Sequence, residues 1–259
     1  MSVWSTKNKI TSNLGTLVIV AVFLAVWELL ASYKLIDIFF FSKPSTVLMD
    51  LKKLFLTGEI LPHIKITMQE ALTGLAVGSI VGVIIAFIFG QIPIIARVFD
   101  PIIMALYGIP KLALGPLFIM WFGLGLQSKI FLATLMVFFL VFFNAYAGFK
   151  NVEPGLINAV KLMGGTKGQI IRKVVLPSCL PWIMAGLRGG IGSALLGAIV
   201  GEYLGSNSGL GWMVEYAGGM FDITRVISCI VVLMVIMAVM NSGLKLLEKR
   251  LLKWQPSIE

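Results

Sequence analysis

Charge is what this sequence has least of. Only 13% of its 259 residues are Asp, Glu, Lys or Arg, against a hydrophobic share of 58% and a mean hydropathy of +0.97. A chain of that length and composition has too little polar surface to enclose one water-soluble core, so a soluble globular fold is excluded. Histidine is scarce too, with one residue, His63, and cysteine is limited to Cys179 and Cys229. Without a His/Cys cluster at ligand spacing no metal site is expected, and His63 reads as an ordinary solvated or interfacial side chain. Catalytic signatures are missing as well. No G-x-S-x-G, H-E-x-x-H or G-x-x-x-x-G-K-[ST] occurs, so acyl transfer, metalloproteolysis and ATP hydrolysis have no residues to carry them. Neither an enzyme nor a bound cofactor is expected.

What the chain does have is long apolar runs. About 20 apolar residues suffice to cross a bilayer as a helix, and six runs qualify: Leu14 to Ala31, Leu72 to Gly90, Val98 to Phe122, Ile130 to Phe149, Ile183 to Leu204 and Val226 to Leu246. The expected fold class is an all-α integral membrane protein of about six transmembrane helices in a single domain, 1–259. Pro101, Pro110 and Pro116 interrupt the third run; each removes a backbone donor, so this span is expected as one irregular helix or two half-helices. Lys7 and Lys9 precede a first run that lacks a small-residue cleavage site, which reads as a retained anchor rather than a removed signal peptide.

Placing the N-terminus in the cytoplasm puts Arg97, the basic segment with Lys150, Lys161, Lys167, Arg172 and Lys173, and Lys245, Lys249, Arg250 and Lys253 on that same side, as the positive-inside rule asks. Both termini are then cytoplasmic. The segment from Ser32 to Ile66 argues the other way, since it carries Lys34, Lys43, Lys52, Lys53 and Lys65 outside. The net charge of +9 needs no nucleic-acid partner, because anionic membrane lipid at the cytoplasmic face accounts for it. In this topology Cys179 falls at the cytoplasmic edge of span five and Cys229 near the outer start of span six, too far apart to pair.

Glycine is plentiful and regularly placed. Gly74, Gly78 and Gly82 recur every fourth residue on span two, and Gly197, Gly201 and Gly205 do so on span five, giving each helix a flat stripe on which another backbone can pack closely. Charges within or beside the spans are few: Glu28, Lys111, Arg188 and Glu202. Each is costly against lipid and should face protein, water or an interface. Arg188 reads as a snorkelling residue. Lys111 and Glu202 are candidates for a translocation path, the bland alternatives being a contact to carbonyls freed by the prolines for Lys111 and a helix-end contact for Glu202. Trp121, Phe122, Trp212 and Tyr216 read as interface anchors.

One polar, Gly-broken, basic segment lies between spans four and five: NAVKLMGGTKGQIIRKVVLP, Asn158 to Pro177. Its spacing resembles the EAA loop of bacterial ABC importer permeases, E-A-A-x3-G-x9-I-x-L-P. Ala159, Gly164, Leu176 and Pro177 stand in register, whereas Asn158 replaces the Glu, Val160 the second Ala and Val174 the Ile. An amide at 158 can still hydrogen-bond, but it carries no charge. The segments Tyr107 to Gly125, followed by Lys129, and Gly201 to Met213 are similar to permeases of the nitrate, sulfonate, taurine and pyrimidine-precursor group.

This resemblance implies a type I ABC importer permease fold and a cytoplasmic coupling loop at about 150–181. Within the loop, Asn158, Ala159, Val160, Gly164, Gly165, Leu176 and Pro177 would meet an ATPase, with a bend at the glycines between two short helices. Implied partners are a second copy of the permease, two copies of an ABC ATPase subunit and an extracytoplasmic substrate-binding protein, in a bacterial inner membrane. The implied cargo is a small polar organic solute or anion. The rival from another class is a self-contained secondary transporter or channel; it calls for coupling residues deep in the spans, where Glu28 is the one clear carboxylate.

Overall fold

A computed structural model describes residues 2–254, which are mostly helical with no strand among them. Two compact units share the chain: one holds the described residues up to Leu61 together with Met213–Val232, the other Pro62–Trp212 together with those from Leu233 onward.

The first unit contains α1 (Ser2–Ser32), α2 (Ile38–Phe41) and α3 (Pro44–Leu56). The segment Gly15–Ser32 is apolar enough to cross a membrane and almost wholly exposed, as a helix facing hydrocarbon should be. Glu28, near its end, caps the N-terminus of α3. It accepts hydrogen bonds from the Ser45 backbone N–H (2.9 Å) and hydroxyl (2.8 Å), supplying the anion at the α3 N-terminus that Lys43 in the N-cap position does not provide. In the same unit Arg225 bridges Asp50 at 3.0 Å and Glu59 at 2.9 Å.

The second unit is built around one helix. α4 (Ile60–Gln91), which passes into it from the first unit, is followed by α5 (Pro93–Gly108), a 3-10 turn Lys111–Leu114, α6 (Gly115–Phe122) and α7 (Leu126–Lys150). Both glycine stripes close on α7: a Cβ on Gly74 would lie 2.5 Å from the Ala133 Cβ and one on Gly78 2.6 Å from the Thr134 carbonyl. From the other side, a Cβ on Gly197 would lie 2.6 Å from the Ala133 Cα and one on Gly201 2.8 Å from the Lys129 Cγ. α7 is therefore held between two helices at backbone contact, which no larger residue on either stripe permits. Farther along, Phe142 meets Phe89 edge-on at 5.3 Å in a core with Ala86, Ala96, Ile103, Phe139 and Ala145.

The third run is broken, as its prolines suggest. α5 and the Lys111–Phe122 segment meet at 83°. Ile109 has φ −68°, ψ 134°, the extended geometry that a following proline imposes. Pro101 is tolerated inside α5, and Pro116 lies in the first turn of α6, where its missing N–H has no helical partner anyway.

The chain continues through α8 (Pro154–Leu162), α9 (Lys167–Ile170), a π-type turn Ile171–Val175, α10 (Leu176–Leu204), α11 (Leu210–Gly219) and α12 (Ile223–Leu251). Among the described residues five helices are long and apolar enough to span a membrane, or six with the bent pair counted as one span. Arg188, expected at an interface near the start of span five, lies well inside α10 and donates to both Glu248 oxygens at 2.7 and 2.8 Å. Cys179 and Cys229 are free and buried.

Candidate functional site

Two features of the second unit carry chemistry, at opposite ends of α7 and α10. The first is the segment joining them. α8 ends in a Schellman cap: the Gly165 N–H bonds the Val160 carbonyl and the Gly164 N–H that of Lys161, both at 2.9 Å. Gly164 has φ +75°, a left-handed value open to glycine at little cost. Gly165 is constrained differently, since a Cβ there would lie 2.7 Å from the Val160 carbonyl oxygen. Thr166 then caps α9 in a reciprocal box with Gln169. Of the other sequence-predicted residues, Asn158 and Ala159 are exposed on α8 and Val160 is half-buried. Leu176 and Pro177 follow the π-type turn, next to buried Val174 and Val175. Pro177 has no N–H to offer the carbonyl four residues back, which fits the wider winding before it. At the tip, Leu162 is 89% and Met163 79% exposed, flanked by exposed Lys161, Lys167, Arg172 and Lys173.

The second feature is a buried polar cluster. Glu202, in the last turn of α10, is 1% exposed. Its Oε1 accepts from the Thr67 hydroxyl at 2.6 Å and its Oε2 from the Gly211 N–H at 2.5 Å, while the Thr67 oxygen accepts the Leu210 N–H at 2.9 Å. A carboxylate thus sits on the N-terminus of α11, where the helix presents unpaired N–H groups. Gly209, at φ +107°, and Gly211 leave the space that the carboxylate fills. Glu70 (1% exposed) and Lys129 (2%) complete the group, each within electrostatic reach of the other and of Glu202. The Lys129 ammonium donates to the Leu124 carbonyl, and among the described residues Glu70 Oε2 has no hydrogen-bond partner. Alongside, His63 is half-buried: its Nδ1 accepts the Gly209 N–H at 3.0 Å, and its ring stacks on Trp212 at 5.3 Å. Trp212 is therefore a stacking partner as well as an aromatic near a span end.

Sequence reasoning found Glu202 and missed Thr67, Glu70 and Lys129 as site residues. Span two was expected to start at Leu72, but α4 starts at Ile60, about three turns earlier. A signal for Glu70 was present in the spacing, because it continues the Gly74, Gly78, Gly82 stripe back by four; Lys129 had none, since its position four before Ala133 matters only once the structure brings both stripes onto that residue. Lys111 joins neither feature. At the 83° break, its Nζ donates to the Tyr107 carbonyl at 2.9 Å and lies 4.4 Å from the centre of the Tyr107 ring; that carbonyl is near the end of α5 and is not one of those four residues before Pro110 or Pro116.

Comparison with known proteins decides the family. Residues 60–253 match the binding-protein-dependent transport system inner membrane component. The chain belongs to that family. Among its relatives, a Bacillus subtilis (strain 168) permease protein named for aliphatic sulfonates transport is 34% identical over 94% of this chain and 88% of its own length. The taurine transport system permease protein of Escherichia coli (strain K12) is 31% identical over 99% and 94%. A formylaminopyrimidine transport permease protein of Halalkalibacterium halodurans is 32% identical over 74% and 77%. In fold, the chain resembles a chain of an amino acid ABC transporter crystal structure at TM-score 0.63 and 20% identity, covering 77% of this chain and 97% of that one. It is likewise similar to a chain of the MetNI methionine ABC transporter at TM-score 0.59 and 22% identity, over 74% and 94%. The protein is an ABC importer permease with the type I fold, a transport subunit of the membrane rather than an enzyme.

Proposed function

We propose that the chain forms, as a homodimer, the translocation path for a small sulfonate or taurine-like solute, and that the α8–α9 segment couples this path to two copies of an ABC ATPase. The observation that carries the coupling role is the tip Leu162–Met163. Two large apolar side chains stand in the open at a Schellman turn, in a segment that also exposes Lys161, Lys167, Arg172 and Lys173. An exposed apolar patch rimmed by polar residues marks a protein contact. Because the segment joins α7 directly to α10, a partner that moves the tip pulls on both helices. α7 lies against two glycine stripes, so it transmits the displacement through backbone contact rather than through flexible side chains. With the loop in the cytoplasm, both termini are cytoplasmic, and the polar cluster lies at the far end, where an extracytoplasmic binding protein delivers the solute.

Placement supports the assignment of Glu202 and Lys111 to the path. Lys111 is half-buried at the break in the third span, and an unwound segment at membrane depth is tolerated where it lines a cavity or is covered by protein. Glu202, with both oxygens bonded, acts as a positioning residue for α11 at the path's outer end. The solute class rests on the sulfonate and taurine relatives; the formylaminopyrimidine relative makes a pyrimidine precursor the competing cargo.

Co-expression with the ATPase tests the coupling role. Wild-type permease should retain the ATPase on purification, and Leu162→Glu/Met163→Glu should lose it while keeping its own thermal stability. Retention of the ATPase by that variant would show that the tip is not the contact. Uptake of labelled taurine against labelled formylaminopyrimidine separates the two cargo classes.

A further inference from the structure

Next to the coupling segment, α5, α7 and α8 enclose a cavity of about 560 Å³ that opens at the surface. Its charged lining is Arg97 and Asp100 on α5 and Lys150 at the end of α7; Tyr146 and Phe149 wall it, and Ile157 of α8 reaches into it. Among the described residues none of the three charged side chains is in an ion pair. Lys150 instead lies over the Tyr146 ring at 4.3 Å. Two cations at one mouth with no protein anion bound to them form a place for an external anion. The surroundings of the cavity suit a lipid: Ile94 and Val98, beside Arg97 on α5, are exposed apolar residues on which acyl chains can lie, and the last residues of α4 and α7 are next to the cavity. Basic pockets between transmembrane helices at the cytoplasmic side suit anionic headgroups.

We propose that this cavity binds the headgroup of an anionic phospholipid, with the phosphate held by Arg97 and Lys150, a glycerol hydroxyl donating to Asp100, and the first methylenes against Phe149. A lipid seated there touches Ile157, so its occupancy stiffens the first helix of the coupling segment. The inference rests on the reading above only in taking this end as cytoplasmic.

Binding in detergent does not depend on orientation or on transport, so it can fail while the importer reading stands. The test is lipid retention by the purified full-length permease, measured by native mass spectrometry with phosphatidylglycerol and with phosphatidylcholine. At about 1 kcal/mol per cation, Arg97→Gln and Lys150→Gln should each weaken phosphatidylglycerol retention about fivefold, and together about thirtyfold, with phosphatidylcholine unchanged. The charge-conserving pair Arg97→Lys/Lys150→Arg should keep most of it, which guards against misfolding of the double neutral variant. Equal retention in the neutral and wild-type proteins overturns the site. Displacement of the lipid by inorganic phosphate at matched concentration overturns the lipid as its source, and loss of permease self-association in the neutral pair reassigns the mouth to a second copy.

Discussion

Replacing Gly164 by valine isolates the backbone of the coupling segment from its side chains. A Cβ built at this position meets nothing within 4 Å, so no neighbour has to move and no packing is lost. The whole penalty comes from holding an L residue at φ +75°, about 1–2 kcal/mol, and a β-branched side chain lies at the upper end because it is poorly tolerated there. By RT ln K, 1–2 kcal/mol shifts the turn about 5- to 30-fold toward other conformations. The Schellman bonds from Gly164 and Gly165 would open, re-aiming Leu162 and Met163, while the glycine-stripe packing around α7 stays intact. In proteoliposomes holding the permease, its ATPase and its binding protein, Gly164→Val should lower uptake and blunt the stimulation of ATP hydrolysis by loaded binding protein, with the permease melting temperature little changed. Gly164→Asn should retain most function, because asparagine adopts left-handed geometry more readily. Wild-type uptake and stimulation in Gly164→Val would refute the coupling role of this turn.

Three further outcomes follow from the same geometry. Lys129→Met removes the cation near Glu70 and Glu202 and the donor to the Leu124 carbonyl; it should destabilise by about 1–3 kcal/mol, read as a lower melting temperature, and a melting curve matching wild type would show that the cluster is not held by its charge. Glu202→Gln keeps the size of the side chain but presents an N–H₂ to one of two donors, so uptake should fall with ATPase assembly intact; unchanged uptake and stability together would remove Glu202 from both roles. A cysteine replacing Lys167, in a chain with Cys179 and Cys229 changed to serine, should react with impermeant thiol reagents in inverted vesicles and not in intact cells, and labelling from outside would reverse the topology.

Much of this protein is legible in its residues taken in order, because those features depend on local spacing. Membrane residence follows from composition, the break in the third span from Ile109-Pro110, the helix contacts from glycines every fourth residue, and the bend of the coupling segment from the Gly164-Gly165 pair. Composition aside, a neighbour within about one helical turn supplies the cause in each case. The polar cluster is different. By sequence, Glu70 and Lys129 fall just before runs that begin at Leu72 and Ile130, and His63 reads as a solvated or interfacial side chain; the spacing puts Glu70 on the glycine stripe but does not say that water is excluded there. Burial comes from α4, α7 and α10 converging at one end, where glycine contact draws the helices close enough to exclude water and the α11 N-terminus gives the Glu202 carboxylate a donor. Which charges are shielded, and by what, is a property of that convergence, and only the tertiary structure decides it.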